Sequence, residues 1–256
     1  MITLNSLNNK MESLKISIIT VVKNGMPYLK EAINSFNIQT YKNKEHIIVY
    51  SESRDDTENY LLSLKDKKII KDKVSSNKFG PLNLALKYCT GDYIGILHSD
   101  DFFNNQNTIN EIVNFLLKNE SDVLYGNIKF CSKLDTNKVT RIWKSNNFNR
   151  ASLKFGWMPP HTSIFARKKV LENNLYSEKY LISGDYDFIL RIFLNTNYKI
   201  SFFNQYLTTM RTGGDSTNFR SLFKKLKEDL IISKKFFKHF ILCITLKILR
   251  KLNQFF

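Results

Sequence analysis

The sequence predicts an α/β fold: a mixed, mainly parallel sheet flanked by helices, with a basic amphipathic helical extension at its carboxyl end. Three observations predict it. Strand-length β-branched runs alternate with helix-length amphipathic segments from Ile16 to Lys118, the pattern of parallel strands joined by crossover helices. Two adjacent carboxylates, Asp100 and Asp101, follow one of the apolar runs, at the strand end where such sheets bind ligands. Residues 219–256 hold ten Lys/Arg against two acids, half of the chain's net charge of +16, interleaved with apolar residues at helical spacing.

The elements follow in order. Residues 16–22 (ISIITVV) form a strand bounded by Lys15 and by Lys23-Asn24-Gly25. Pro27 opens a helix, because Tyr28, Leu29, Ala32, Ile33 and Phe36 recur at helical spacing and a first turn has no use for the N–H that proline lacks. Residues 45–50 are the second strand, and a polar loop over 51–56 leads into a helix over 57–64. Ile69-Ile70 is a short strand, 82–88 a helix, Gly91-Asp92 a turn, 93–97 a strand and 108–118 a helix. The second half is less regular. Residues 122–127 read as a strand continued by 128–130, with a loop to Arg141. Pro159 and Pro160 hold 156–161 open as a loop. Residues 162–166 are a strand and 167–172 the start of a helix, and the polar cluster 183–187 opens an apolar helix over 188–194. No element is predicted between Leu194 and Arg211.

At 256 residues and 43% hydrophobic content the chain can bury a large core. The expected organisation is a disordered, Asn-rich lead-in over 1–14, a domain over 15–218 and the basic tail over 219–256. The lead-in lacks the apolar core of a signal peptide, and no apolar run reaches the roughly 20 residues that span a bilayer. The excess of Lys/Arg calls for an anionic partner: a nucleotide, a nucleic acid or an acidic membrane surface. Cys89, Cys131 and Cys243 are too widely spaced for a metal knuckle and fit a reducing compartment.

Two carboxylates side by side at a buried strand end repel each other and lose hydration. A divalent cation, Mn²⁺ or Mg²⁺, relieves both costs and shares its remaining coordination with phosphate oxygens. The plain alternative is a cap for the following helix.

The ordered set of motifs goes further. Asn24 follows the first strand, Ser53-x-Asp55-x-Thr57 the second, and Gly91-Asp92 precedes the strand that ends in Ser99-Asp100-Asp101. Then come Val123-Leu124-Tyr125-Gly126, Pro160-His161, Asp185-Tyr186-Asp187-Phe188-x-Leu190-Arg191 and Arg211-x-Gly213-Gly214-x-Ser216. In this order and spacing the chain resembles the family 2 glycosyltransferases of the GT-A, Rossmann-like fold, of the bacterial type that builds cell-surface polysaccharide and lipopolysaccharide. The resemblance implies an inverting, metal-dependent hexosyltransferase. Its donor would be a nucleotide-diphosphate sugar, a UDP-sugar above others, and its acceptor a hydroxyl of a glycan or lipid-linked sugar. By resemblance Asp101 binds the metal on the diphosphate, Asp100 approaches the ribose, Thr20, Val22 and Asn24 line the nucleotide pocket, and Asp185 is the general base. A carboxylate at a helix N-terminus is kept ionised by the dipole, which suits that role; the alternative for Asp185, and the preferred reading for Asp187, is a helix cap or a structural residue.

Three departures shape the expectations. Tyr50, Ser51 and Glu52 stand where the family has acids after the second strand, so Tyr50 is expected to stack on the base and Glu52 or Asp55 to accept its hydrogen bond. Segment 77–83 follows the family loosely, and only Asn83 carries over. Gly213 replaces a metal-ligating His of some members, which leaves Arg211 to supply charge to the diphosphate or to form a surface ion pair. His161 and Trp157 are expected on the acceptor side, against the alternatives of a satisfied structural histidine and a core cover. The 219–256 tail is expected to lie on an anionic membrane surface, with packing on the domain as the alternative. That sets the protein in the cytoplasm, peripheral to the inner face of the membrane. Two other classes were weighed. A GT-A-like nucleotidyltransferase needs a glycine-rich phosphate loop, for which Lys23-Asn24-Gly25 is too thin. A non-catalytic basic binder of membranes or nucleic acid lacks any recognisable nucleic-acid motif, so no nucleic-acid partner is expected.

Overall fold

The computed structural model describes residues 13–65, 67–75, 77–213 and 219–252. Residues 1–12 of the expected lead-in, and Gly214 and Ser216 of the last motif, lie outside the described residues.

Among the described residues the strands are β1 (Ile16–Val22), β2 (Lys44–Ser51), β3 (Lys68–Asp72), β4 (Tyr93–Ile96), β5 (Phe102–Phe103), β6 (Val123–Cys131), β7 (Val139–Trp143), β8 (Phe165–Arg167) and β9 (Ile200–Arg211). They form one sheet in the order β3-β2-β1-β4-β8-β6-β9-β5, with β7 paired to β6. β1 is parallel to both β2 and β4, and β2 to β3. β8 runs antiparallel to β4 and β6, β9 parallel to β6, and β5 antiparallel to β9. The expected mixed, mainly parallel sheet is therefore present.

Helices cover both faces: α1 (Leu29–Asn37), α2 (Thr57–Leu62), α3 (Phe79–Leu86), α4 (Thr108–Asn119), α5 (Lys168–Glu172) and α6 (Gly184–Leu194). The two-residue side-chain period of β1 divides it between them. Ile16 and Ile18 pack with Ala32 and Phe36 of α1 and with Ile109, Ile112 and Val113 of α4. Ile19 and Val21 face the other way, into the larger core with Leu82, Ala85 and Leu86 of α3 and the apolar face of α6. A strand buried on both faces reads as an unbroken apolar run, which is why ISIITVV was legible.

The differences from the sequence reading are local. The α3 helix begins at Phe79, ahead of the expected 82, because the Asn77 side-chain oxygen accepts the Phe79 N–H at 2.9 Å and Pro81 falls in the first turn. The β6 strand runs unbroken from Val123 to Cys131, joining the expected strand over 122–127 to its continuation over 128–130. β7 makes a hairpin where a loop was expected, and β9 occupies the stretch that had no predicted element.

The basic tail is two helices, α7 (Phe219–Phe236) and α8 (Phe240–Leu252), folded back on each other. Their inner face packs on the domain: Ile232, Phe237, Cys243 and Ile244 belong to the same buried cluster as Phe188, Ile189 and Phe193 of α6. The apolar spacing that marked this segment as amphipathic supplies the face that joins the core, the alternative weighed for it. Gly156 is the contact that lets α8 in. Its φ is +74°, and a Cβ there would stand 2.4 Å from the Lys247 N and 2.6 Å from the Cys243 carbonyl oxygen. Gly156→Ala is expected to cost about 3 kcal/mol, from left-handed strain and the displaced helix, and to lower the melting temperature by roughly 5–10 °C in a thermal scan.

Candidate active site

The acidic pair sits where β4 leaves the sheet. Immediately after Asp101, Phe102 and Phe103 pair with Thr209 and Thr208 of β9, so the pair is pinned between two strand ends. Asp101 is 1% exposed. Its Oδ1 accepts the Arg211 backbone N–H at 3.3 Å, and its Oδ2 has no hydrogen-bond partner. Burial, and then the neighbouring Asp100 carboxylate, push its pKa well above the usual range, against the pull of Arg211. A buried carboxylate with an unused oxygen is costly as it stands and fits a hard divalent cation. Among the described residues no group of three or more His, Cys, Asp or Glu side chains is arranged to hold a metal. Asp101 would therefore be its protein ligand, with the remaining positions left to phosphate and water.

Asp185, in the first turn of α6, lies close enough to the end of β4 to act on His98 there. Two histidines connect the sides electrostatically. His98, three residues before Asp101, is held low by burial while Asp100 and Asp185 both pull it up. His161 lies 6.3 Å from it, ring to ring, and its Nε2 shares a 2.8 Å hydrogen bond with the Tyr176 hydroxyl. Burial holds His161 at about 4, so it is neutral near pH 7. Burial alone would raise the pKa of Asp185, but Lys225, Lys78, His161 and Lys247 outweigh it and hold the carboxyl at about 2. Asp185 is thus ionised near neutral pH, and among the described residues its hydrogen bond is from the Tyr186 N–H at 2.9 Å. Asp187, by contrast, is spent on ion pairs with Arg191 at 2.8 Å and Lys235 at 3.3 Å, as its structural reading expected. His98, Lys78, Lys225 and Lys247 escaped the sequence reading. The first two had no motif, and the lysines reach Asp185 only because the tail folds back.

A family model, Glycosyl transferase family 2, matches residues 17–175. The chain belongs to glycosyltransferase family 2. An uncharacterized glycosyltransferase of Rickettsia conorii is 31% identical over 188 residues, covering 70% of this chain and 31% of that protein. The chain therefore spans about a third of the length of this relative. WfgD of Escherichia coli, a UDP-Glc:alpha-D-GlcNAc-diphosphoundecaprenol beta-1,3-glucosyltransferase, is 31% identical over 119 residues, covering 46% of this chain and 47% of WfgD. Among solved structures, S. aureus TarS in complex with UDP-GlcNAc matches with a TM-score of 0.69 at 19% identity, over 87% of this chain and 66% of that one. That likeness shows the GT-A fold.

Within this family member the expectations for the nucleotide side need correction. Thr20 is not a pocket wall: it is fully buried, donates to the Leu97 carbonyl at 2.8 Å and accepts from His46 at 2.9 Å. Val22 packs among Leu29, Ile33 and Ile48. Asn24, at φ +52°, receives the Arg54 N–H on its side chain and shapes the loop. Tyr50 is 4% exposed and donates to Glu58, so its ring has no face to offer a base. The Asp55 carboxylate takes the Met26 and Thr57 N–H groups, tying the end of β1 to the start of α2. Asn83 binds both backbone groups of Tyr176 and serves the α3 packing. Of this set Asn24 and Glu52, both exposed, and Asp100 remain open to a nucleotide.

Arg211 is neither a phosphate contact nor a surface pair. Its side chain is 1% exposed, donates to the Asp100 carbonyl, pairs with Glu31 of α1 and lies over the Tyr28 and Phe102 rings at 4.9 and 5.1 Å. It braces the acidic loop from behind. On the other side Trp157 is 7% exposed and packed edge-on to Tyr125, so it covers the core and does not reach an acceptor. His161 alone of the two expected acceptor-side residues borders the cleft. Away from the acidic pair, a cavity of about 410 Å³ lined by Phe36, Lys42, Lys44, His46, Lys67 and Lys68 lies at the amino ends of β2 and β3.

Proposed function

We propose that the protein is an inverting, metal-dependent hexosyltransferase that moves a sugar from a UDP-sugar to a hydroxyl of a glycan or lipid-linked acceptor in surface-polysaccharide assembly. The observation that carries this reading is the buried, unpartnered Asp101 Oδ2 at the end of β4. Asp101 would hold Mn²⁺ or Mg²⁺, which when bound would neutralise charge on the departing nucleoside diphosphate. Asp100 would meet the ribose and Glu52 the base. Asp185 would take the proton from the acceptor hydroxyl as that oxygen bonds to the anomeric carbon and the diphosphate leaves from the opposite face. His161, neutral, would orient the acceptor. A UDP-sugar donor is supported by the substrates in the names of WfgD and of the TarS complex, and a lipid-diphosphate acceptor by that of WfgD.

The same reading sets the protein on the cytoplasmic face of a membrane. No helix among the described residues is long and apolar enough to cross one. The outer face of α7 and α8 nevertheless exposes Leu222, Ile231, Ile241, Leu242, Ile248 and Leu249. Apolar residues flanked by lysines suit an anionic lipid surface. Co-sedimentation with phosphatidylglycerol vesicles, lost in high salt and absent with phosphatidylcholine, is the expected result; equal binding to both or to neither would overturn the membrane assignment.

The reaction is tested by incubating the protein with Mn²⁺ and a panel of nucleotide-sugars, UDP-glucose and UDP-GlcNAc among them, and measuring released nucleoside diphosphate. Metal-dependent release from a UDP-sugar, lost in Asp101→Ala, is expected. No release and no metal-dependent nucleotide binding across the panel would reject a transferase.

A further inference from the structure

We infer that Glu228, on the terminal helix α7, is the positioning residue for the catalytic base, so that the basic hairpin completes the active site. The inference rests on reading Asp185 as that base. The α6 helix begins at Gly184, and its first N–H groups need acceptors. The residue before it, Ser183, is a type that ordinarily supplies one, yet its side chain makes no capping bond. Glu228, 45 positions away along the chain, instead fixes the segment that leads into the helix. One carboxylate oxygen accepts the Leu181 N–H at 2.9 Å, and the other accepts Ile182 at 3.0 Å and Ser183 at 2.8 Å. Three consecutive N–H groups converge on one anion that is 9% exposed, at the positive end of a helix dipole.

The hairpin also holds the chain just beyond the base. The Tyr186 hydroxyl bonds to Ser233 of α7 at 2.9 Å, and the Lys247 ammonium of α8 lies 3.3 Å from the centre of the Tyr186 ring. Lys235 pairs with Asp187 at 3.3 Å. Residues on both sides of Asp185 are therefore gripped by α7 and α8, while among the described residues Asp185 itself makes no hydrogen bond to them and stays partly exposed. Gly184 closes the third side, where a Cβ would stand 2.7 Å from the Phe79 ring. This arrangement fixes the direction of one carboxylate. A base displaced by about 1 Å from its line to the acceptor oxygen can lose on the order of 100-fold in rate.

The test uses the full chain as wild type, Glu228→Gln, Lys247→Met and Asp185→Asn. The readouts are kcat and KM for UDP release from UDP-glucose and UDP-GlcNAc with Mn²⁺, Mn²⁺–UDP affinity, and amide hydrogen exchange. Glu228→Gln keeps an acceptor oxygen but loses the charge and turns an NH₂ toward the amides. It is expected to lower kcat by about 10- to 100-fold with KM and Mn²⁺–UDP affinity within two-fold of wild type, and to speed exchange at residues 181–187 while α4 is unchanged. Lys247→Met, which loosens the other side of the grip without touching the cap, carries the same kinetic expectation should Glu228→Gln not fold. Faster exchange at 181–187 with kcat within two-fold would make Glu228 a structural cap only. A joint fall in kcat and nucleotide affinity would mean general loss of structure; either result overturns the inference. If Asp185→Asn is inactive while Glu228→Gln is fully active, this inference alone fails; if Asp185→Asn is fully active, the base assignment fails and takes this one with it.

Discussion

Asp101→Asn is expected to lower nucleoside-diphosphate release by about 1,000-fold or more and, in EDTA, to raise the melting temperature of the same protein. Both effects come from one atom. Oδ2 is buried without a partner, and burial and then Asp100 hold the Asp101 pKa well above the usual carboxylate range. In the folded state without a cation the ionised form is penalised. The sign of the pH dependence follows. A carboxyl whose folded pKa lies above its unfolded one binds its proton more tightly when folded, so stability is lost as pH rises from the unfolded value toward the folded one. Asparagine does not titrate, so its advantage over aspartate is small near pH 4 and grows as pH rises toward the folded pKa. Leaving a buried polar group unsatisfied typically costs on the order of 1–3 kcal/mol, more when it is charged, and relief of about 2 kcal/mol would move the midpoint by roughly 4–8 °C. Adding Mn²⁺ and UDP should reverse the order. At 100 times its dissociation constant a ligand stabilises by about 2.7 kcal/mol, and only the aspartate protein has the oxygen to benefit. A variant that is inactive but no more stable in EDTA would show that Asp101 is already satisfied without a cation.

Asp185→Asn is expected to lower kcat by about 10²- to 10⁴-fold while leaving KM for the donor and Mn²⁺–UDP affinity near wild type. That separates it from Asp101→Asn, which should lose nucleotide affinity as well. Asparagine fills the same volume in the first turn of α6 but cannot take the acceptor proton. Lys225, Lys78, His161 and Lys247 hold the Asp185 carboxyl at about 2 against burial, so it contributes no acid limb to the activity between pH 5 and 8. Its depressed pKa contributes stability that is present above the unfolded value near 4 and lost as pH falls through about 2. Asp185 is partly exposed, so solvent screens the pairing and the asparagine variant should melt within a few degrees of wild type. A nearly unchanged melting point with a collapsed kcat is the pattern expected of a residue that works in the transition state.

The places of Asp101 and Asp185 in the fold were legible because each stands at an element boundary that local pattern reveals. Asp101 follows an apolar strand, and Asp185 opens an apolar helix. The nucleotide-side residues fared worse for a shared reason. Thr20, Tyr50, Asp55, Asn83 and Arg211 are polar and near strand ends, which reads as a binding surface. In the fold each is spent on a neighbour, most of them far along the chain: Thr20 on His46, Asp55 on Met26, Asn83 on Tyr176 and Arg211 on Glu31, with Tyr50 on the nearer Glu58. A hydrogen-bonding side chain looks the same in sequence whether it awaits a ligand or already has a partner.

The sequence by itself determined the parallel core of β1, β2 and β4, the helices beside it and the two acidic positions, because a strand buried on both faces and an amphipathic helix write their periods into consecutive residues. Tertiary structure alone decided the rest. It paired β9 with β5 so that Arg211 braces the acidic loop, and it folded α7 and α8 back so that Glu228, Lys225 and Lys247 surround Asp185. The tail's charge was visible from the start, but its apolar inner face had a definite partner only once α6 existed to bury it. Contacts between residues tens of positions apart depend on loop closure and on the packing of whole faces, and no local period encodes them.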